Sequence, residues 1–384
     1  MPIFTEPLPL SLYVHLPWCV RKCPYCDFNS HEMKQGLPET AYVNTLLQEL
    51  EQYLPQIQHR PLVSIFFGGG TPSLFSAQAI EQILTGVAKR MIFSPTIEIT
   101  LEANPGTAEQ ARFHDFRQAG INRLSLGIQS LQDDKLKALG RIHNTDTAIQ
   151  AITMAQKAGF TNFNIDLMYG LPQQTIDDAI HDLELALSFQ PTHLSWYQLT
   201  IEPNTFFHHQ PPALPIDDTI WEMQQAGQTL LQHMGFTHYE VSAYAQPGKT
   251  CLHNRNYWEF GDYLGIGAGA HSKLTDEKTG SVTRFAQVKH PTTYLDSTKR
   301  LPLTSKILAE EDLVFEFMLN ALRLTRGVPA LLFTQRTGLS LARVEKLLAQ
   351  AKHRGLLLPD PTHFRPSERG RRFLNDLVGI FLHS

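Results

Sequence analysis

Short apolar runs recur along the first half of the chain and alternate with longer segments of helical periodicity. The runs are rich in β-branched and aromatic residues, which favour strands. They are Leu12–Leu16, Val63–Phe67, Ile97–Leu101, Arg123–Ile128, Phe163–Met168 and Leu194–Ile201. Between them, apolar residues fall on one face of a helix, as with Val43, Leu46, Leu47, Leu50 and Leu54. The pattern predicts six consecutive βα units.

Six βα units with nearly continuous apolar strands predict a parallel sheet covered by helices. A closed TIM barrel needs eight such units. We therefore expect an α/β fold that is a partial (β/α)6 TIM-like barrel, with a flat doubly wound sheet as the alternative. In either fold, ligands bind at the carboxyl ends of the strands.

The C-terminal part of the chain has a different pattern. A helix is predicted over Leu341–Arg354, a strand–turn–strand wing over residues 355–366, and a last helix over Glu368–Phe381. Residues 299–384 carry 14 Lys+Arg and 8 Asp+Glu, a balance of +6, whereas the rest of the chain carries 19 and 29, a balance of −10. We predict a barrel with a following polar and aromatic segment over residues 1–275, a linker over 276–300, and a winged-helix-like α+β domain over 301–384.

Composition narrows the class of protein. The chain has 384 residues, 42% of them hydrophobic, and a net charge of −4, which disfavours a protein that coats nucleic acid. None of its apolar runs approaches the roughly 18 residues of a membrane span. The segment Met1–Pro7 has neither the basic region nor the apolar core of a signal peptide. These features predict a cytoplasmic protein with reduced cysteines and no transmembrane segment.

Three of the four cysteines, Cys19, Cys23 and Cys26, form a C-x3-C-x2-C cluster directly after the first predicted strand. Three thiolates at this spacing can hold three corners of a [4Fe-4S] cluster and leave the fourth iron open to a small molecule. A structural zinc site, with His15 or His31 as the fourth ligand, is an alternative, although such sites often use two C-x2-C pairs. A disulfide is a further alternative, but three neighbouring cysteines cannot pair evenly.

Glycine or polar residues follow several of the predicted strands. The run Gly68–Gly70 and Thr71 follow the second strand. At or just beyond the ends of the next three strands lie Glu102, Gln129, Arg141 and Asp166. Consecutive glycines let a ligand approach the backbone closely. Carboxylates can accept hydrogen bonds from ribose hydroxyls or an ammonium group, and an arginine can pair with a carboxylate. The alternatives are a tight βα turn, helix N-caps and loop salt bridges.

A segment dense in polar and aromatic residues, Cys251–Trp258, is the last candidate for chemistry. Histidine is a common axial ligand of haem iron, and aromatic side chains can line the pocket of a macrocycle. His253 is the candidate ligand, with Cys251 and His271 as back-ups. The chain has 17 histidines, and a hydrogen-bonded core histidine is the alternative.

Taken together, these motifs resemble one protein family. The matching stretches are YVHLPWCVRKCPYCDFNSH, FFGGGTPS, LEANPG, LGIQS, LGRIH, DLMYGLP, WYQLTIEPNT and HNRNYW. They are similar to the haem-chaperone branch of the anaerobic coproporphyrinogen III oxidase-like family of radical S-adenosylmethionine (SAM) proteins. The resemblance covers nearly the whole chain, including the C-terminal domain.

The resemblance implies cofactors and the residues that hold them. The [4Fe-4S] cluster would be bound by Cys19, Cys23 and Cys26, with SAM on its open iron. The SAM site would be lined by Tyr13, Tyr25, Gly70, Thr71, Glu102, Gln129, Arg141 and Asp166. Haem would be contacted through the H-N-x-x-Y-W motif by His253, Asn254, Tyr257 and Trp258.

Two features separate the chaperone branch from the dehydrogenase branch of that family. Phe28 stands where the dehydrogenases carry a further cysteine, and the first strand begins by residue 12, which leaves no room for their N-terminal extension. We therefore expect a haem chaperone that passes haem to an acceptor haemoprotein and needs an electron donor for its cluster, with no nucleic-acid partner. A coproporphyrinogen III dehydrogenase is the first alternative, and a nucleic-acid-binding role of the C-terminal domain is the second.

Overall fold

The computed structural model describes residues 2–4, 6–34, 36–57, 59–106, 112–298 and 304–382. Its strands are β1 (Leu10–Leu16), β2 (Trp18–Cys19), β3 (His31–Glu32), β4 (Leu62–Gly69), β5 (Phe93–Ala103), β6 (Arg123–Gln129), β7 (Phe163–Tyr169), β8 (His193–Gln198), β9 (Thr237–Glu240), β10 (Ala243–Ala245), β11 (Asp262–Ile266), β12 (His271–Asp276), β13 (Ser281–Ala286), β14 (Thr304–Ile307), β15 (Val328–Pro329) and β16 (His363–Phe364). Its α-helices are α1 (Glu39–Tyr53), α2 (Ala77–Ala88), α3 (Phe113–Gln118), α4 (Asp133–Ala138), α5 (Thr145–Lys157), α6 (Ile176–Ser188), α7 (Phe206–His209), α8 (Asp217–His233), α9 (Leu252–Trp258), α10 (Pro291–Leu295), α11 (Glu310–Ala321), α12 (Ala330–Thr337), α13 (Glu345–His353), α14 (Glu368–Arg372) and α15 (Leu374–Gly379).

The predicted partial barrel is confirmed. Strands β1, β4, β5, β6, β7 and β8 lie side by side in that order and run parallel. Each new strand is added on the same side of the one before it, as in a TIM barrel, whereas a doubly wound sheet reverses its strand order. The six predicted apolar runs coincide with these strands, although β8 ends at Gln198, before the predicted Ile201.

Amphipathic helices cover the outer face of this sheet. The predicted apolar face of α1 is buried at Val43, Leu46 and Leu50, and that of α2 at Ile80 and Ile83. These side chains join the strand residues in one hydrophobic core, which removes their apolar surface from water and so holds the helices on the sheet. None of the described helices is both long enough and apolar enough to cross a membrane.

The sheet extends beyond the six predicted strands at both ends. Strand β11 pairs in parallel with the free side of β1, and β12, β13 and β14 continue from it as an antiparallel meander. At the other end, β10 and β9 pair antiparallel after β8. The structure therefore differs from the predicted linker over residues 276–300: β13 and α10 lie within it, while residues 299–303, at the predicted boundary, are outside the described residues.

A buried cluster of charges places polar side chains in the core at β11 and β12, two of the added strands. The carboxylate of Asp262, at the start of β11, accepts hydrogen bonds of 2.8 Å from both Arg60 and Lys273. It also accepts the backbone N–H and the hydroxyl of Thr275 in β12. All three charged side chains are at most 4% exposed. Charged residues occupy core positions here because each of the two cations is paired with the carboxylate.

The C-terminal module has the predicted winged-helix-like arrangement. Helices α11 and α12 precede a 3-10 turn at Leu341–Arg343 and α13, and the predicted wing is held by the pairing of β15 with β16 and a bridge between Leu357 and Pro366. The predicted last helix is divided into α14 and α15. Side chains of the module share a hydrophobic core with Tyr239 and Phe260 of the barrel region, so the module packs against the barrel.

Candidate functional site

The carboxyl ends of the parallel strands surround a cavity of about 610 Å³. All three clustered cysteines line it, together with seven of the eight residues predicted for the SAM site. These seven are Tyr25, Gly70, Thr71, Glu102, Gln129, Arg141 and Asp166. They come from five βα units, so the parallel barrel accounts for their convergence.

The cysteine loop is closed at its base by backbone pairing. Strand β2 pairs with β3, which brings Trp18 opposite His31 and Cys19 opposite Glu32. Inside the loop, the Cys26 N–H donates to the Cys23 carbonyl at 3.1 Å. The three thiols are thus held on one short loop that faces the cavity.

The chemistry of the three thiols fits a cubane cluster. All the cysteines are free, and no group of three His, Cys, Asp or Glu side chains in the described ranges converges as the ligands of a single metal ion do. Thiolates that bind different irons of one cluster need no such convergence. Burial raises the pKa of Cys19 and of Cys26, so these sulfurs favour a partner that takes up thiolate charge, as iron does.

The glycine run after β4 is required by the close approach of the β1 segment. A Cβ on Gly68 would lie 2.9 Å from the Tyr13 ring, and one on Gly70 would lie 2.5 Å from the Trp18 carbonyl oxygen. Gly69 combines a φ of +118° with a Cβ position 2.6 Å from the His15 ring. These glycines therefore seat the cysteine loop against β4, and Gly69 and Gly70 also line the cavity.

Two carboxyl groups of the described residues, those of Glu102 and Asp166, lie inside the cavity. Burial and the charge of Asp166 raise the pKa of Glu102 to about 8, although the Gly69 N–H donates to this carboxylate at 3.3 Å. Burial also raises the pKa of Asp166. Hydrogen bonds from Asn164 at 2.8 Å and Ser125 at 3.0 Å lower this pKa but do not outweigh burial. A cationic ligand would favour the ionised form of both groups.

Arg141 links the cavity wall to the cysteine loop. Its guanidinium donates to the Gly127 carbonyl at 2.7 Å, to Asn104 Oδ1 at 2.9 Å and to Cys23 Sγ at 3.5 Å. Its Nε, like Oε1 of Gln129, is buried with no hydrogen-bond partner among the described residues. Buried polar atoms of this kind normally have a partner, so both are open to a ligand.

Together these groups fit SAM. The carboxylates can take its ammonium and ribose hydroxyls, Arg141 can take its carboxylate, and Gln129 offers a further acceptor. The sequence-based prediction missed Asn104, Ser125 and Tyr197, which also line the cavity. Ser125 and Tyr197 lie on strands already predicted, on the inward-facing side, and a strict alternation count along β6 and β8 would have found them.

Tyr13 is the predicted SAM-site residue that does not line the cavity. Its hydroxyl lies 3.1 Å from Nδ1 of His15, whose Nε2 lies 2.9 Å from the Asn29 carbonyl. Its ring stacks on His253 with 6.1 Å between the centroids. Tyr13 therefore lies one layer deeper, between the cysteine loop and the opposite end of the barrel.

The predicted haem segment forms α9, which crosses the amino-terminal ends of the strands. The Glu98 carboxylate of β5 accepts the backbone N–H groups of Leu252 at 3.1 Å and His253 at 3.2 Å, and the Cys251 thiol at 3.3 Å. This contact caps α9 and holds it under the barrel. The three clustered cysteines lie at the other end of the strands.

His253 is buried in this arrangement. The residue is 4% exposed. Its ring stacks on Phe66 with 4.8 Å between the centroids and places Nδ1 at 3.1 Å from the Ser64 hydroxyl. Burial, with a smaller contribution from the charge of Arg123, lowers its pKa to about 3. The other predicted haem contacts, Asn254, Tyr257 and Trp258, are half-buried.

Comparison with known proteins agrees with this geometry. The sequence model of the Radical SAM superfamily matches residues 13–186, and that of the HemN C-terminal domain matches residues 308–373. The protein named Heme chaperone HemW of Haemophilus influenzae is 49% identical over 97% of this chain and 98% of its own length. The Escherichia coli protein of the same name is 46% identical over 97% and 98%.

A solved structure supports the fold. Coproporphyrinogen III oxidase (HemN) from E. coli, described as a radical SAM enzyme, superposes with a TM-score of 0.81 and 24% identity, over 98% of this chain and 90% of that one. This likeness extends from the barrel through the C-terminal module. Because the sequence relationship to the chaperones is nearly full-length and well above 30% identity, the chain belongs to the HemW family of haem chaperones within the radical SAM superfamily.

Proposed function

We propose that this protein is a cytoplasmic haem chaperone, which binds haem and transfers it to an acceptor haemoprotein on a scaffold that carries a [4Fe-4S] cluster and SAM. The observation that carries the proposal is the 49% identity to a named haem chaperone over 97% of the chain. The intact HNRNYW segment, on its own helix α9, supports it.

For the cofactors, we assign the cluster to Cys19, Cys23 and Cys26. We assign SAM to the seven predicted residues that line the cavity, with Tyr13 beneath them. A cluster held by these cysteines would supply the electron for SAM chemistry, so the protein would need an electron donor. The chain's own part is electrostatic. Glu102 and Asp166 would accept hydrogen bonds from the ammonium group and the ribose hydroxyls of SAM, and Arg141 would pair with its carboxylate while it donates to Cys23.

For haem, we assign His253 as the iron ligand, with Asn254, Tyr257 and Trp258 around the macrocycle. The lowered pKa of His253 keeps its imidazole neutral at pH 7, which is the form that coordinates a metal. Its burial requires that α9 move away from the strands before haem reaches it. The bonds from Glu98 to the start of α9 oppose that movement.

The test is a titration of anaerobically reconstituted protein with haem, followed at the Soret band. We expect saturable binding in the wild type and its loss in His253→Ala. The matched control is His233→Ala, at the exposed end of α8, which should bind like the wild type. An unchanged spectrum and affinity in His253→Ala would remove this residue from the site, and loss only in His271→Ala or Cys251→Ala would move the ligand there.

The movement of α9 has a kinetic signature. Glu98→Gln weakens the contact that holds the start of the helix, so we expect faster haem association in stopped-flow mixing. A rate equal to that of the wild type, with the fold intact by circular dichroism, would contradict the assigned role of Glu98.

The same preparation tests the enzymatic alternative. With coproporphyrinogen III, SAM and a reductant, we expect no protoporphyrinogen, because exposed Phe28 lines the cavity where the dehydrogenase branch has cysteine. Formation of that product would replace the chaperone assignment with a dehydrogenase.

A further inference from the structure

A second cavity, of about 460 Å³, lies between α8 and the C-terminal module and shares no lining residue with the cysteine cavity. One wall is the polar face of α8, with Trp221, Gln224, Gln225, Gln228 and Gln232. The facing wall carries Arg323, Arg326, Arg365, Arg371 and Arg372. We call this cavity the basic cleft.

The positive charge of the basic cleft is mostly unbalanced. Among the lining residues that the structure describes, five are arginines and only Glu368 is acidic. Arg323 pairs with Glu240 at 3.0 Å. By contrast, Arg326, Arg365 and Arg371 are exposed and form no ion pair with any carboxylate in the described part of the chain. Like charges gathered around one cavity repel each other, and an anionic ligand relieves that repulsion.

The shape of the arginine group favours carboxylates. Guanidinium is planar and offers parallel N–H donors that match both oxygens of a carboxylate. The oxygens of a phosphate group match the same N–H donors, so the arginines alone do not identify the ligand.

The opposite wall favours a polypeptide. Gln224, Gln228 and Gln232 are four residues apart on α8, so they are spaced by roughly 6 Å along the helix. Alternate residues of an extended chain are spaced by roughly 6.7 Å. Side-chain amides carry the same donor and acceptor groups as a peptide bond. Gln224 donates one N–H to the Tyr169 hydroxyl at 2.9 Å, and its carbonyl oxygen stays available to a ligand.

The aromatic residues of the cleft disfavour a nucleic acid. Single-stranded nucleic acids bind through bases that stack on free aromatic faces. Here Arg372 covers the Trp221 ring at 4.2 Å, and His238 stacks on Tyr244 at 4.5 Å between centroids. These contacts cover one face of each ring, and Tyr244 and Phe236 are buried, so little aromatic surface is left for bases to stack on.

We propose that the basic cleft binds an acidic segment of a partner polypeptide in extended conformation. Its carboxylates pair with Arg326, Arg365 and Arg371, and its backbone bonds to the glutamines of α8. The binding of such a segment is independent of haem and SAM. The further step, that this acidic segment belongs to the haem acceptor, rests on the proposed function.

The test uses a fluorescein-labelled peptide in which glutamate alternates with serine, followed by fluorescence anisotropy with the full-length protein. We expect saturable binding that weakens with salt, and no binding of the matched glutamine–serine peptide. The triple variant R326E/R365E/R371E should weaken binding by at least about tenfold, since each reversed charge replaces an attraction with a repulsion.

A second triple variant is the matched control. K346E/R354E/R369E makes the same change in net charge at exposed positions of the same module that do not line the cleft. It should bind the peptide like the wild type. Because the substituted residues in both variants are exposed, both should melt at the temperature of the wild type.

Three results would overturn the proposal. The first is an equal loss of binding in both triple variants, which would mean that only net charge matters. The second is no binding of the acidic peptide by the wild type. The third is tighter binding of a labelled oligothymidine that is lost only in the cleft variant, which would make the ligand a nucleic acid. Haem titration of the same variants is a separate readout, so failure of this proposal is distinguishable from failure of the chaperone assignment.

Discussion

Replacing Asp262 with asparagine is expected to lower the free energy of unfolding by about 4 kcal/mol, from the range for a broken buried ion pair. The carboxylate has no exposed surface and lies 2.8 Å from each of two buried cations, Arg60 and Lys273. Removing one partner of such a pair costs roughly 3–5 kcal/mol, because the remaining charge is left without compensation. Asp262→Asn leaves two such cations and turns an amide N–H towards them, so the loss should not fall below the middle of this range.

The loss should depend on pH in one direction. Burial opposes ionisation of Asp262, but the charges of Lys273 and Arg60 outweigh it and hold its pKa below the ordinary value. A group with a lowered pKa in the folded state contributes its stability above the unfolded pKa of about 3.9 and loses it as the pH falls through the folded pKa. The difference in the free energy of unfolding between wild type and variant should therefore be constant from pH 6 to 8 and become smaller at lower pH.

Urea unfolding followed by circular dichroism and tryptophan fluorescence measures this difference. The matched control is Glu51→Gln, which removes a surface carboxylate, 52% exposed, from its pair with Arg90 and should cost at most about 1 kcal/mol. Adding Lys273→Met to Asp262→Asn should recover part of the loss, because one unpaired cation is removed. A loss no larger than that of Glu51→Gln, or a difference that widens in acid, would refute the reasoning.

Three other outcomes concern the cysteine cavity. Gly70→Ala should prevent iron retention with little change in circular dichroism, because the added methyl group would lie 2.5 Å from the Trp18 carbonyl oxygen; full iron content in this variant would contradict the packing argument. Cys251→Ser should keep the iron content of the reconstituted protein and Cys23→Ser should lose it, and equal iron in the two would contradict the ligand assignment. SAM affinity, measured by equilibrium dialysis, should rise by up to about tenfold per pH unit from pH 6 towards 8. The reason is that Glu102 has a pKa of about 8 and that its ionised form attracts the cationic ligand. The same slope in Glu102→Gln would assign the titration to another group.

The barrel and the cavity were largely predictable because both depend on local patterns. Each apolar run is long enough to be a strand, and the parallel order brings every strand end to one face of the sheet. The positions of Glu102 and Asp166 follow from that rule alone. Tyr13 shows its limit, since its hydroxyl turns to His15 rather than to the cavity.

What was not predictable depends on contacts between distant parts of the chain. Strand β12 carries Lys273, which is buried beside Asp262. From the sequence alone, a lysine is expected at the surface, because nothing near it in the chain shows that Asp262 is its partner. In the same way, no local pattern reveals that His253 is held between Ser64 and Phe66. The burial of Lys273 and of His253 depends on partners that are distant in the sequence. A window of neighbouring residues does not contain those partners.

The position of β1 has a consequence for synthesis on the ribosome. This strand is paired on both sides, and on one of them Leu10 lies opposite Asp262, which is made about 250 residues later. At 5–20 residues per second, that partner appears on the order of 10 to 50 s after β1. Until then the nascent strand has an open edge next to the cysteine loop. The strand that leads into the cysteine loop therefore gains its second pairing partner only after most of the chain has been synthesised.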